Sequence, residues 1–202
     1  MANMQSLRDW DAIRRKIGPL RYQSSESDCV PTAIVNGLLF LLRRRLHPRL
    51  LQMIWSVSLE TRAGTGYTSC HTLSTILQNW FSFAHEDGFE QEEMPFISTV
   101  VEGESVHLSR NNPLTRTLNY DGIAFLVTND GAHYVLLHTH KRGNYFGFDP
   151  YYKVRKGAKS QNAIYDDCSG LANVRFTRGE LEKLFKVDSN KWLHLVEPVE
   201  FH

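Results

Sequence analysis

From Gly122 onward the sequence changes its period, and that change constrains the fold more than any other feature. Gly122-Ile-Ala-Phe-Leu-Val-Thr128, Ala132-His-Tyr-Val-Leu-Leu-His-Thr-His140 and Asn144-Tyr-Phe-Gly-Phe148 are short, aromatic and β-branched. Asn129-Asp130-Gly131 and Lys141-Arg142-Gly143 separate them, both turn segments of hairpin length. The pattern predicts an antiparallel meander of three strands. Residues 171–176 and 192–196 predict two more, the last closed by Pro198. Between them Thr177-Arg178-Gly179-Glu180 is a capping box, opening a short helix through Leu181, Leu184 and Phe185.

The first eighty residues instead carry helical spacing. In 6–17, Ser6 with Asp9 forms a cap, Leu7, Trp10, Ile13 and Ile17 share a face, and Gly18-Pro19 stop the helix. A central apolar helix spans 29–46, where Arg43, Arg44 and Arg45 complement the negative end as solvated side chains. A helix over 48–59 and another over 68–81 follow, with a turn at Gly64-Thr65-Gly66-Tyr67-Thr68 between them. Residues 83–121 are less regular and include an acidic run from Glu86 to Glu93, the signature of a solvated face. Helices first and strands afterwards predict an α+β chain. It is one domain of two segregated layers, with 1–82 mainly helical and 122–202 mainly antiparallel sheet.

With 202 residues, 42% of them hydrophobic, the chain can bury a single core. The 23 Lys and Arg balance 22 Asp and Glu and are spread throughout, which argues against a dedicated nucleic-acid surface. The longest apolar run, 37–42, is far too short to span a bilayer, and no basic start with an apolar core marks a secretory signal. Three cysteines, at 29, 70 and 168, form no Cys-x-x-Cys, so a reduced, cytoplasmic chain is expected rather than a disulfide framework. Cys70-His71 and Asp167-Cys168 lack zinc-ligand spacing, and Gly64-x-Gly66 follows no strand and precedes no Gly-Lys-Ser/Thr. Neither a metal nor a cofactor is expected.

The chemistry concentrates in Tyr22-Gln23-Ser24-Ser25-Glu26-Ser27-Asp28-Cys29-Val30-Pro31, where a polar loop becomes the apolar helix. Asp28 or Ser27 suits the N-cap, and Pro31 is tolerated in a first turn. A thiol there faces the positive end of the helix dipole, which favours the thiolate. On this stretch alone Cys29 is equally a small buried apolar residue. His133 opens one predicted strand and Asp149 ends the next, so a short hairpin makes them cross-strand neighbours, sixteen residues apart. A carboxylate beside an imidazole fixes the ring's tautomer and steadies its charged form. If the helix docks its N-terminus on that edge, Cys29, His133 and Asp149 become nucleophile, base and orienter, with Gln23 an oxyanion donor. Each has an ordinary alternative: His138 and His140 share the strand, and Asp149-Pro150 also suits a plain turn.

Gln23 six residues before Cys29, His133-Tyr134-Val135 and Phe148-Asp149-Pro150, in this order, resemble the papain-like cysteine peptidases. The similarity is greatest to the bacteriocin-processing type, in its stand-alone form. The resemblance implies a papain-like fold and a Cys-His-Asp triad of Cys29, His133 and Asp149, with Gln23 the oxyanion donor. It also implies a peptide or amide as substrate. Apart from the resemblance, Tyr134 and Tyr151 are expected to contact that substrate, Tyr151 with Tyr152 in a loop that either lines a peptide groove beside the site or is only a sticky surface. Val30-Pro31 stand where exporter peptidase domains carry glycine after the nucleophile, and the residues after Asp149 have no clear counterpart there. Two alternatives share the architecture: a cysteine-dependent acyltransferase, and an inactive binding module that keeps the groove without an activated thiol.

Overall fold

The computed structural model describes residues 10–24, 28–65, 75–76, 79, 96–102, 108–109, 111–128, 133–151, 170–187 and 192–198. Its elements are α1 (Trp10–Ile17), α2 (Cys29–Leu42), α3 (Pro48–Thr65), β1 (Phe96–Glu102), α4 (Pro113–Asn119), β2 (Ile123–Thr128), β3 (His133–Lys141), β4 (Asn144–Phe148), β5 (Val174–Thr177), α5 (Arg178–Val187) and β6 (Trp192–Pro198). The expected α+β class holds: the strands form one sheet in the order β1-β6-β2-β3-β4-β5, and every pairing is antiparallel.

The expected two layers become three, because the sheet is covered on both faces. Against one face α1, α2 and α3 bury Ile13, Ile34, Leu38 and Ile54 with Phe125, Tyr134 and Phe148 of the sheet. Against the other, Leu114 and Leu118 of α4 and Leu181 and Phe185 of α5 pack with Leu126, Leu137, Tyr145 and Phe176. A strand buried on both faces has no solvated side to fill with polar residues. That is why Ile123 to Val127 is apolar without interruption. The irregular stretch before residue 122 supplies both β1 and α4, neither of them expected.

Several boundaries move. α2 ends at Leu42, four residues early, because Arg43 turns left-handed (φ 54°) and donates its N–H to Leu39 O at 2.9 Å. Its guanidinium then pairs with Asp121 at 2.8 Å instead of being purely solvated, and such an exposed pair is worth under about 1 kcal/mol. α3 runs past Leu59 to Thr65, over the first two residues of the turn expected at 64–68, the rest of which lies outside the described residues. Arg142 (φ 52°) and Gly143 (φ 76°) form the two-residue turn between β3 and β4, whose positive φ values match the twist of the strands. The capping box on α5 is present in both directions: Thr177 N–H donates to Glu180 Oε2 at 2.6 Å, and Glu180 N–H to Thr177 Oγ1 at 3.3 Å. The expected cap at Ser6, most of helix 68–81, the acidic run and the Asn129-Asp130-Gly131 turn lie outside the described residues, as do Cys70, His71, Asp167 and Cys168.

α2 lies close against the sheet at Gly37. A Cβ there would run into the Phe125 ring and lie 2.9 Å from Ile123 Cδ1. Both neighbours are fully buried and have nowhere to retreat. Gly37→Ala would gain about 1 kcal/mol of helix propensity but incur an overpacking cost of about 1–3 kcal/mol. Overpacking wins, and thermal unfolding of Gly37→Ala is expected several degrees below wild type; a rise in the midpoint would show that helix and sheet are not in this contact.

Candidate active site

Cys29 is the first residue of α2 and is 5% exposed. Asp28 is the N-cap but makes no side-chain capping bond, its carboxylate instead accepting from Ser24 Oγ at 2.7 Å. Of the thirteen residues behind Cys29 in α2, all but Thr32 and Asn36 are apolar or glycine; they drive the helix into the core and carry its N-terminus onto the sheet edge. There the thiol bonds the ring of His133.

His133 opens β3 opposite Thr128 of β2. Asp149 follows the last residue of β4, one step past the Leu136–Phe148 pair. His133 Nε2 and Asp149 Oδ1 are 3.0 Å apart, as the hairpin argument requires. Asp149 Oδ1 also accepts the Tyr151 N–H at 2.9 Å, an Asx turn that aims the carboxylate back along the chain. With Nε2 engaged by the carboxylate, Nδ1 is the ring nitrogen left to face the sulfur.

Burial is the largest single influence on His133 and acts against its charged form. Acting together, the hydrogen bonds to Asp149 and Cys29 and the negative charge of both outweigh it, raising His133 from 6.5 to about 9. The ring is therefore an imidazolium across the neutral range, held between a carboxylate and a sulfur.

The other two histidines of the strand are accounted for differently. The ladder skips from Leu137–Gly147 to Thr139–Phe146, so His138 is the extra residue of a β-bulge. Fully buried, it stacks on Phe40 at 4.2 Å. Its Nε2 lies 2.9 Å from Leu171 O and its Nδ1 2.9 Å from Thr139 Oγ1. A carbonyl only accepts, so Nε2 carries a proton, and the ring is a packed core residue. Gly147 faces this bulge because a Cβ there would collide with Leu136 O. His140 lies near the strand's end against Asn119 Oδ1 at 3.2 Å, and partial burial lowers it from its ordinary value.

Gln23 is buried, and its N–H donates to Pro150 O at 2.9 Å, setting it against the residue after Asp149. Two residues earlier, Asn36 of α2 bonds both main-chain groups of Arg21, accepting its N–H at 3.0 Å and donating to its C=O at 2.8 Å. The loop carrying Gln23 is thus tied to the Cys29 helix on one side and the Asp149 strand on the other. Tyr151 is half-exposed, with its ring edge-on to His133 at 6.0 Å. Tyr134 is not at the surface. Its ring is fully buried beside Phe125 and His194, because position 134 alternates onto the α2 face of the sheet. The expected substrate contact through Tyr134 is therefore a core contact instead.

Sequence reasoning missed two residues that hold the site, Asn36 and Asn173. Each is a lone buried amide inside an apolar run, Ile34-Val35-Asn36-Gly37-Leu38 and Leu171-Ala172-Asn173-Val174, and a polar residue kept in such company needs a partner. Among the described residues no group of three or more His, Cys, Asp or Glu is placed to hold a metal ion, and no helix is long and apolar enough to cross a membrane. No protein-family model matches the chain, and no curated protein matches it.

Proposed function

We propose that this protein is a cysteine hydrolase of papain-like construction, acting on a peptide or amide bond. The observation that carries the proposal is one imidazole bonded on one side to Asp149 at 3.0 Å and on the other to a thiol at a helix N-terminus. A buried sulfur serving only as core filling has no use for a charged, oriented histidine, whereas a nucleophile needs both.

The geometry supports the following chemistry. Cys29 Sγ attacks the carbonyl carbon, and the oxyanion that forms is stabilised by the Cys29 N–H and the Gln23 side-chain amide. The carbon–nitrogen bond then breaks, and the departing nitrogen takes the proton from His133, leaving a thioester on Cys29 and a neutral imidazole. Water attacks the thioester while His133 takes a proton from it, and the thiolate and imidazolium are restored. Asp149 keeps the ring in one orientation throughout. Tyr151, half-exposed beside His133, would touch a bound substrate.

An activated ester such as p-nitrophenyl acetate tests this without knowledge of the natural substrate. The expected result is a burst of one p-nitrophenolate per chain, with the acetyl group found on Cys29 by peptide mass spectrometry and no burst from Cys29→Ala. An added amine that captures the acetyl group in place of water would make the protein a transferase. Absence of a burst, or acetylation spread over lysines and the other cysteines, would leave no role for the thiol.

A further inference from the structure

We propose that Asn173 is a positioning residue for this site, fixing the main chain of Asp149 so that its carboxylate meets His133. The inference rests on the assignment of Cys29, His133 and Asp149 as the active site, and it adds a residue outside that triad.

Asp149 is just past the point where the sheet stops holding its chain. The β3–β4 ladder ends at Leu136–Phe148 and the β4–β5 ladder at Gly147–Val174. Where further ladder bonds would come, a side chain takes their place. Asn173 Oδ1 accepts the Asp149 N–H at 2.7 Å, and Asn173 Nδ2 donates to the Asp149 C=O at 2.9 Å. Its own N–H donates to Gly147 O at 2.9 Å, which fixes the amide relative to the strand. Asn173 is 5% exposed, so water does not compete for these bonds.

Both halves of the amide are thus committed to one residue, and they fix the peptide planes on either side of Asp149. Those planes determine where the carboxylate lies, and a hydrogen bond of 3.0 Å to His133 tolerates little rotation of either. Only a short side chain with one donor and one acceptor in the same plane can do this. Serine offers a single hydroxyl, alanine offers nothing, and aspartate turns an acceptor toward the Asp149 carbonyl.

Asn112 is the matched control. It is also a buried asparagine bonded to main chain, accepting Thr115 N–H at 2.8 Å and donating to Ser109 O at 2.7 Å, but it caps α4 and touches no residue of the triad. The His133 ring nitrogens would be titrated by NMR in wild type, Asn173→Ala, Asn173→Ser and Asn112→Ala, with the resonance assigned by its loss in His133→Ala. The expected result is that wild-type His133 holds its proton to about 9, while Asn173→Ala binds it at least tenfold more weakly. Asn173→Ser, which keeps a hydroxyl if Asn173→Ala does not fold, is expected to fall between them. Asn112→Ala should melt earlier with an unchanged titration. A folded Asn173 variant whose His133 titrates as in wild type would overturn the proposal while leaving the triad intact. A wild-type His133 that titrates near 6.5 would instead remove the triad itself, and the role of Asn173 with it.

Discussion

Asp149→Ala is expected to slow acylation of Cys29 by about 10³-fold while the chain stays folded. Asp149 is at the end of β4, outside both apolar clusters, and its side chain makes two contacts of note, the His133 ring at 3.0 Å and the Tyr151 N–H at 2.9 Å. Its loss therefore costs the fold about 1–2 kcal/mol. The site suffers far more. Burial is the strongest influence on His133 and opposes its charge, and the Asp149 hydrogen bond is the strongest of those that oppose burial. Without the carboxylate the imidazolium loses its main support, and nothing holds Nδ1 toward the sulfur. The burst rate with an activated ester, measured beside a thermal melt, separates these effects. A slow burst with a nearly unchanged melt is the expected outcome. A burst as fast as wild type would mean that Asp149 neither orients nor charges the ring.

The sheet edge was legible because it depends on local counting. A hairpin of short connection must bring the start of one strand beside the end of the next, so His133 and Asp149 meet whatever the rest of the chain does. The docking of Cys29 on that edge rests on a longer-range cause. An apolar helix must bury its whole length, and glycine at position 37 lets it approach the sheet closely enough to do so.

What escaped the sequence is also physical. The second helical layer was implicit in the unbroken apolar run at 123–127, since a strand with one wet face would alternate. β1 escaped because Phe96 to Glu102 mixes Ser, Thr and Val at a sheet edge, where one side meets solvent and no clear period results. Tyr134, expected to contact substrate, is instead a fully buried ring beside Phe125 and His194, a placement decided by packing across the sheet face and not by its neighbours in sequence. The asparagine clamps escaped because each joins residues that no spacing rule connects: Asn36 with Arg21, and Asn173 with Asp149.

The pH dependence of Cys29 alkylation carries the second large effect. A free thiol with a pKa of ~8.5 is only about 0.3% thiolate at pH 6, so a cysteine of that kind labels very slowly there. An imidazolium bonded to the sulfur would favour a thiolate there, and His133 is raised from 6.5 to about 9. A raised value means that the stabilisation is complete below 6.5 and is lost as pH rises through about 9. The advantage of Cys29 over an ordinary thiol is therefore greatest at acidic and neutral pH and closes at the alkaline end. His133→Ala removes the proton altogether, and the labelling rate at pH 6 should fall by about 10²-fold. Iodoacetamide labelling across pH, read separately at Cys29, Cys70 and Cys168, is the most direct test that a thiolate–imidazolium pair exists. Fast labelling of Cys29 alone at pH 6, abolished by His133→Ala, is the predicted result. Cys29 labelling no faster than the other two, along a free-thiol profile and indifferent to His133→Ala, would contradict it.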